Sequence, residues 1–239
     1  MPDEGDMADD PGLELSLVAV TRRFGTRTAV ERISLDVAAG SAVALMGPNG
    51  SGKTTLLRLM SGRDVPSDGQ VLLGGQGFTE DDESVRREVA LVAEDSAFYP
   101  DLTVREHLWL VACAHGAAGA ATTMVDRALD DMRLADHAEG FPRELSSGQQ
   151  QALLLATVLV RPRRLLLLDE PERRLDPEAR QQLGVLLQAE RAAGVTVVLA
   201  THHAELARSV ADRLVLLRDG QVVADGSPAD IDESLHDDG

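Results

Sequence analysis

The most constraining feature of this sequence is the segment GPNGSGKT at residues 47–54, which matches the pattern G-x-x-x-x-G-K-[ST]. An apolar run at 41–46 precedes it and predicts a strand, and a helix is expected to begin at Lys53. Glycines let consecutive backbone N–H groups curl around phosphate oxygens, and the helix N-terminus adds partial positive charge. The residues predicted to surround the phosphates are Gly47, Pro48, Asn49, Gly50, Ser51, Gly52, Lys53, Thr54 and Thr55.

Two side chains of this segment have specific expected roles. Lys53, the only lysine in the chain, should reach the β- and γ-phosphates of ATP, and the Thr54 hydroxyl should ligate Mg²⁺. The alternative is a flexible glycine loop that matches the pattern by chance. The predicted strand before the segment and the helix after it argue against that alternative.

A pair of carboxylates follows a second apolar run. Leu165 to Leu168 predicts a buried strand, and Asp169 and Glu170 come directly after it, where open α/β sheets hold their ligands. Asp169 would hold Mg²⁺, directly or through water, and Glu170 would orient the attacking water towards the γ-phosphorus. Taken alone, such a pair more often marks a strand that ends at the solvent. The pair therefore indicates a functional site only in combination with the other motifs.

The order of the predicted elements indicates an α/β core interrupted by helices. Apolar runs separated by helical stretches predict a parallel sheet with covering helices, and Asp219-Gly220 predicts a terminal hairpin. Residues from about 95 to 160 are expected to be helical, opening with Thr103 and Glu106 at capping-box spacing. The predicted strands are Leu13–Val20, Ala29–Val37, Ser41–Met46, Val71–Leu73, Val89–Ala93, Leu165–Leu168, Thr196–Ala200 and Arg213–Leu217.

The net charge of −17 is concentrated at the two ends of the chain. Residues 1–10 contain five acids and residues 225–239 contain six, and neither segment contains Lys or Arg. We therefore expect acidic, disordered tails at 1–12 and 229–239 around one domain at 13–228. An acidic body with acidic tails argues against nucleic acid as a partner.

Membrane insertion and disulfide chemistry are both unexpected. The longest nearly apolar run, Ala152 to Val160, is about half the length that spans a bilayer, and the N-terminus is acidic. We therefore expect a cytoplasmic protein. Cys113 is the only cysteine, which excludes an intrachain disulfide, and it is expected to be a buried core thiol.

Five motifs in a fixed order resemble those of ATP-binding subunits of ABC transporters. They are residues 47–55, the signature-like segment 145–149, Asp169-Glu170-Pro171, Leu175-Asp176 and Thr201-His202. The resemblance covers about residues 13–228. It implies a P-loop NTPase (RecA-like) α/β core, an antiparallel β subdomain and an inserted all-helical signature subdomain at about 95–160.

The resemblance also implies roles for further residues. Phe24 matches the aromatic position that stacks on adenine, and His202 matches the switch histidine near the γ-phosphate. Taken alone, Phe24 would more often be a core residue, and His202 a surface residue. The remaining nucleotide contacts implied are Ser146, Gly148, Gln149 and Asp176, and the implied catalytic residues are Glu170, His202 and Lys53.

The resemblance implies partners as well. In the family the signature segment faces the ATP of a second subunit, so the chain is expected to form a homodimer or a heterodimer with another ABC subunit. Ser146 and Gln149 have capping-box spacing and can begin a helix that points its amides at that ATP. A transmembrane permease would hold the dimer at the inner face of the cell membrane.

The sequence departs from the family pattern at several positions. Glu94 replaces the glutamine of the membrane-coupling loop; it can ligate Mg²⁺ but adds negative charge beside the phosphates. Ser147 replaces a signature glycine, and Ala152 replaces an arginine. The charged residues 172–174, which include Arg174, are expected near the dimer interface. Slow hydrolysis with intact ATP binding is one hypothesis, and tolerated variation with ordinary turnover is the other.

These features leave two readings of the function. The first is an ATP-hydrolysing subunit that powers transport, and retention of Glu170 favours it. The second is a hydrolysis-impaired regulatory subunit paired with a more active ABC ATPase. The segment Phe98–Val104 looks most like exporter-type subunits, so export is the expected direction. A soluble ABC protein of translation or repair would carry two nucleotide domains or a long insertion, and a small-molecule kinase would lack the signature segment.

Overall fold

The computed structural model describes residues 12–93 and 98–231, whose strands form two sheets. The strands are β1 Leu15–Phe24, β2 Arg27–Val37, β3 Ala42–Met46, β4 Asp68–Leu73, β5 Gln76–Gly77, β6 Val89–Val92, β7 Leu165–Asp169, β8 Thr196–Ala200, β9 Arg213–Arg218 and β10 Gln221–Gly226. The α-helices are α1 Lys53–Met60, α2 Glu83–Glu88, α3 Val104–Ala114, α4 Ala121–Asp131, α5 Ser147–Leu159, α6 Pro177–Ala192, α7 Ala204–Val210 and α8 Pro228–Ile231, and short 3-10 helices lie at Ala135–His137 and Pro142–Glu144.

The larger sheet has six strands in the order β10-β9-β3-β8-β7-β6. Strands β9 to β6 in this order are parallel, and β10 closes the edge antiparallel to β9. β3 and β8 are buried at every residue because helices cover both faces of the sheet, the burial expected of parallel strands. The α/β core predicted from the sequence is therefore confirmed.

The order of strands in this sheet positions the functional segments. β8 lies between β3 and β7, so the carboxyl ends of these three strands meet at one edge. The backbone N–H of Thr201 donates to the carbonyl of Leu45 at 3.1 Å, and that of Glu170 donates to the carbonyl of Ala200 at 2.8 Å. The chain segments that follow the three strands are thereby held side by side.

The smaller sheet is antiparallel, with the order β2-β1-β4-β5. Its inner side chains form one apolar core with α1 and with one face of the larger sheet. This core includes Leu15 of β1, Val30 of β2 and Leu56 of α1. The expected antiparallel β subdomain is therefore present, and it lies against the helix that follows the glycine-rich loop.

The helices α3, α4 and α5 enclose an apolar core of their own, around Leu108, Leu129 and Leu153. The inserted all-helical subdomain that the resemblance implied is therefore present, and residues 95–97 of its expected range lie outside the described residues. Cys113 lies at the edge of this core and is only partly buried, so the expectation of a fully buried thiol is wrong. Leu108 and Ala112 lie on the buried face of its helix, and Cys113 is one residue, about 100° around the helix, from that face.

The C-terminal hairpin has the turn that the sequence predicts. Asp219 and Gly220 both have positive φ, 50° and 78°, as a two-residue turn between antiparallel strands requires. Beyond the hairpin, α8 spans Pro228–Ile231 and buries Ile231, which lies within the segment 229–239 expected to be a tail. Over residues 12–93 and 98–231, no helix combines the length and apolar character needed to cross a membrane.

Candidate functional site: a phosphate cradle at the sheet edge

The glycine-rich loop between β3 and α1 has a backbone that only glycine can adopt. Gly47, Gly50 and Gly52 have φ of 142°, 81° and 108°. A Cβ on Gly47 would lie 2.1 Å from the carbonyl oxygen of Leu217, and one on Gly52 would lie 2.7 Å from that of Ala29. Both distances are far inside van der Waals contact, so the loop requires glycine for space as well as for conformation.

The N-terminus of α1 is prepared for an anion. Its N-cap residue, Gly52, supplies no side-chain cap, and its first turn contains no acidic residue. The N–H groups of that turn and the positive end of the helix dipole are therefore left for a ligand. The Ser51 hydroxyl in the same loop is buried and has no hydrogen-bond partner within the described residues.

Lys53 begins this helix with its ammonium group held inside the loop. Its Nζ donates to the carbonyl oxygens of Gly47, at 2.7 Å, and Pro48, at 3.1 Å. Only 5% of the residue is exposed. A buried ammonium whose hydrogen bonds within the described residues go to two neutral carbonyls gains from an anionic partner, so phosphate oxygens fit this position.

A cleft of about 120 Å³ opens over the loop and extends to the end of β7. Glu170 contributes to its wall, which brings the predicted catalytic carboxylate to the phosphate loop. Two lining residues, Arg27 and Ala29, were not predicted from the sequence. The residues that line the cleft are Arg27, Ala29, Asn49, Gly50, Gly52, Lys53, Thr54, Thr55 and Glu170.

The side-chain oxygen atoms at this edge of the sheet suit Mg²⁺ that is also coordinated by phosphate oxygens. Thr54 lines the cleft, and Asp169 ends β7 one residue before Glu170. Within the described ranges, no group of three His, Cys, Asp or Glu residues could hold a metal unaided. Mg²⁺ usually takes few protein ligands and completes its shell with water and substrate phosphate, so this donor set fits it. The third predicted ligand, Glu94, lies outside the described residues.

Glu170 stands at a tight corner between β7 and the segment 171–176. Its φ is 45°, an uncommon value for a residue with a Cβ, and its backbone N–H is held by the carbonyl of Ala200. The Nδ1 atom of His202 lies 3.7 Å from its Oε1 atom. The structure thus brings Lys53, Glu170 and His202, the three predicted catalytic residues, to one edge of the sheet.

Phe24, the predicted adenine contact, ends β1 and pairs with Arg27 across the hairpin. Phe24 is 48% exposed, so part of its side chain is accessible to a ligand. The guanidinium carbon of Arg22 lies 4.5 Å from the ring centroid, and that guanidinium is itself held by a bidentate pair with Asp64. Arg27 was missed from the sequence, although its pairing with Phe24 in a short hairpin is the signal that could have found it.

The signature segment lies at the start of α5, away from the cleft. Ser146 caps the helix by accepting from the Gln149 N–H at 3.3 Å, and the Gln149 side chain accepts from the Ser146 N–H at 2.9 Å. Gly148 packs against the backbone of Arg174, and Asp176 caps α6. The described cleft lining contains none of the four predicted contacts Ser146, Gly148, Gln149 and Asp176.

A glycine-rich loop between a buried parallel strand and a helix, with acids at the end of a neighbouring strand, defines a P-loop nucleotide-binding protein. Among such proteins, the signature-like segment 145–149 at the start of α5 resembles that of ATP-binding cassettes. Comparisons with known proteins agree with that assignment.

Residues 30–173, more than half of the chain, match the family model described as ABC transporter. The chain is 37% identical over 217 residues to the spermidine/putrescine import ATP-binding protein PotA of Nitrosomonas europaea, covering 90% of this chain and 60% of that protein. It is 38% identical over 218 residues to the sulfate/thiosulfate import ATP-binding protein CysA 2 of Chromobacterium violaceum, covering 91% and 59%. The solved structure "Dimeric Structure of MJ0796, a Bacterial ABC Transporter Cassette" has a TM-score of 0.83 at 26% identity, covering 90% of this chain and 98% of that one.

The chain therefore belongs to the ABC transporter family and is an ATP-binding cassette of that family. It spans about 60% of the length of the curated relatives it matches. Both relatives named above are import proteins, so the exporter-like character expected from residues 98–104 finds no support among them.

Proposed function

We propose that the chain hydrolyses ATP and thereby powers translocation through a membrane permease, at the cytoplasmic face of the membrane. The observation that carries this proposal is the position of Glu170, which lines the cleft over the phosphate loop and neighbours His202. A cassette that only bound nucleotide would not require a carboxylate at this point. Its partners would be a permease and a second cassette, with no role for nucleic acid.

Each residue of the site has a part in the proposed reaction. Lys53 would exchange its two carbonyl partners for phosphate oxygens, and the N–H groups at the start of α1 would hold the β-phosphate. Thr54 and Asp169 would hold Mg²⁺, which neutralises charge on the phosphates when bound. Glu170 would orient the attacking water, a positioning task that makes little demand on its basicity.

A second copy of the cassette would complete each site. Ser146 and Ser147 are exposed at the start of α5, and the cleft of the same chain does not include them. A helix N-terminus that stabilises phosphate can therefore serve the nucleotide of a partner. The similar cassette MJ0796 has been solved as a dimer, and also as a dimeric post-hydrolysis state bound to ADP and Pi, with a TM-score of 0.81 and 27% identity.

The direction of transport is assigned to import. The relatives PotA and CysA 2 are named as import proteins. A permease that works with a solute-binding protein would support this assignment, and co-purification with a permease that needs no such protein would contradict it.

The second candidate is a subunit that binds ATP but hydrolyses it slowly beside a more active partner. It is favoured by Ser147, whose side chain occupies an exposed position next to Ser146 where the family has glycine. If Ser147→Gly and Glu94→Gln both leave the turnover rate unchanged, this candidate is wrong.

The deciding experiment measures MgATP turnover by the purified chain over a range of protein concentrations, with Glu170→Gln as the inactive variant. Glu205→Gln, the same change at an exposed residue of α7, serves as the matched control. We expect turnover that rises more steeply than protein concentration, because two cassettes form each site, and that is lost only in Glu170→Gln. Equal turnover in the two variants would contradict the assigned role of Glu170.

A further inference from the structure

Glu172 is a buried acid two residues beyond Glu170, in the segment that leads to α6. It is only 2% exposed, whereas Arg173 and Arg174 beside it point outward. The sequence alone placed all three charges near the dimer interface, but Glu172 instead points into its own chain. A carboxylate withdrawn from water is costly unless it is paired or hydrogen-bonded, so its contacts are informative.

The first contact is with the turn that carries His202. The Thr201 hydroxyl donates to Oε1 of Glu172 and accepts from the backbone N–H of His203 at 2.9 Å. A hydroxyl has one proton, so donation to Glu172 leaves its lone pairs to face that N–H. Thr201 is fully buried. Glu172 thus fixes the shape of the turn 201–203 through one hydrogen bond.

The second contact is with His202 itself. Its Nδ1 atom lies 3.9 Å from Oε1 of Glu172 and 3.7 Å from Oε1 of Glu170. One edge of the imidazole therefore faces two carboxylates, only one of which lines the nucleotide cleft. The Oε2 atom of Glu172 is buried and has no hydrogen-bond partner among residues 12–93 and 98–231.

We propose that Glu172 is a positioning residue for His202. It holds the turn through Thr201, and its negative charge favours a proton on Nδ1, which leaves Nε2 with a lone pair that can accept a hydrogen bond. The partner of each ring nitrogen decides which nitrogen carries the proton, so two carboxylates at Nδ1 set the tautomer. This inference rests on the proposed function, because it concerns the same site.

The first test does not depend on ATP hydrolysis. Imidazole ¹⁵N chemical shifts of the nucleotide-free full chain report the tautomer of His202, recorded above the pH range in which histidine titrates. Glu172→Gln keeps an oxygen that can accept from Thr201 but removes the charge, and Glu205→Gln is the matched exposed control. His202→Ala identifies the resonance.

We expect His202 to favour the Nδ1–H tautomer in the wild type and in Glu205→Gln, and to shift towards Nε2–H in Glu172→Gln. Identical His202 shifts in the wild type and Glu172→Gln would overturn the inference. If the wild type proves unable to hydrolyse ATP, the proposed function fails, and these shifts still decide the role of Glu172.

The second test is a double-mutant cycle on turnover. Misplacing a reacting group can cost up to about a hundredfold, so Glu172→Gln should lower kcat by about ten- to a hundredfold with little change in KM for ATP. In the His202→Ala background, the same change should have an effect of less than about twofold, because Glu172 acts through His202. The inference would be overturned if the losses in kcat of the two single variants multiplied in the double variant. It would also be overturned if the changes in KM and kcat were accounted for by a matching loss of thermal stability.

Discussion

At the scale of single residues, the phosphate loop depends on glycines at positions where a Cβ atom has no room. Gly47 combines a positive φ with backbone contact to Leu217, so any other residue would have to displace the end of β9. Gly75, in the turn between β4 and β5, has a similarly positive φ of 77°, but nothing lies within 4 Å of where its Cβ would be. The two glycines separate the conformational cost of a substitution from its steric cost.

The substitution Gly47→Ala should abolish measurable MgATP binding, because the Cβ can be accommodated only by deforming the phosphate cradle. Gly75→Ala should lower the free energy of unfolding by about 1 kcal/mol through its strained φ and leave nucleotide affinity unchanged. Titration calorimetry and thermal unfolding of both variants test this. Comparable ATP affinity in the two variants would show that the clash at Gly47 is relieved without cost.

His107 is a buried histidine outside the catalytic site, and burial lowers its pKa below 6.5. Its Nε2 atom lies 3.1 Å from the Thr157 hydroxyl, while its Nδ1 atom has no partner within the described part of the chain. Phe98 and Tyr99 pack against the ring at centroid distances of 5.5 and 5.7 Å. The folded chain therefore favours the neutral ring.

Stability should fall with acid partly because of His107. Its folded pKa lies below the unfolded one, so its contribution is complete above about pH 6.5 and is lost as the unfolded state takes up the proton first. His107→Gln should reduce the drop in Tm between about pH 7 and about pH 5. Thermal unfolding across this range, with the wild type in parallel, is the measurement. An unchanged slope would assign the acid sensitivity to other groups, such as His115, whose pKa is also lowered, chiefly by burial.

At the scale of elements, two helices of the insertion begin with the same device. Thr103 and Glu106 form a capping box at α3, and Ser146 and Gln149 form one at α5. In each box the N-cap hydroxyl and the side chain three residues later satisfy backbone N–H groups that the helix leaves open. Of these two helices, only α5 is proposed to point its N-terminus at a nucleotide.

Thr103→Ala and Ser146→Ala should therefore differ in function more than in stability. Each loses a cap worth about 1 kcal/mol, which lowers Tm by about 2–4 °C in a chain of this size. Ser146→Ala should also lower ATP turnover by about tenfold or more, because its helix completes the site of the partner. Melting curves and turnover rates on the same preparations test the pair, and an equal loss of turnover in both would leave α5 with a structural role only.

At the scale of the whole molecule, the strand order assembles the site from distant segments. Placing β8 between β3 and β7 sets His202 between the phosphate loop and Glu170, although more than a hundred residues separate the first segment from the other two. The signature helix α5 packs on the core of the insertion and, through Leu155 and Val158, on the larger sheet, and its first residues are not among those that line the cleft of the same chain. In the proposed dimer, one chain would therefore supply half of each of two nucleotide sites.

Nucleotide should control the assembly of two chains. With MgATP, Glu170→Gln should form a stable dimer, because ATP would bridge the cleft of one copy and the α5 N-terminus of the other and would not be consumed. With MgADP, which lacks the γ-phosphate, the same variant should remain monomeric. Sedimentation velocity with each nucleotide distinguishes these states, and a dimer that forms equally in both would mean that the interface does not depend on the γ-phosphate.

Local features of the site were determined by the sequence itself. The loop at 47–54, the caps at Thr103 and Ser146, and the turn at Asp219-Gly220 depend on residues within a few positions of each other. Short-range sterics and hydrogen bonding decide such features, so residue type and spacing suffice to predict them. The positions of the Ser51 hydroxyl and the Lys53 ammonium inside the loop are set by the same local geometry.

Only the tertiary structure decided which distant residues meet. Long-range packing decides the order of β3, β8 and β7 and brings Arg27 to the cleft. It also decides that the Glu172 side chain points inward to Thr201. A charged residue followed by two arginines is expected at the surface from the sequence, and Glu172 lies inside because the corner at Glu170 turns it towards the end of β8. Burial is a property of the packed chain, so neither residue type nor spacing could place this carboxylate beside His202.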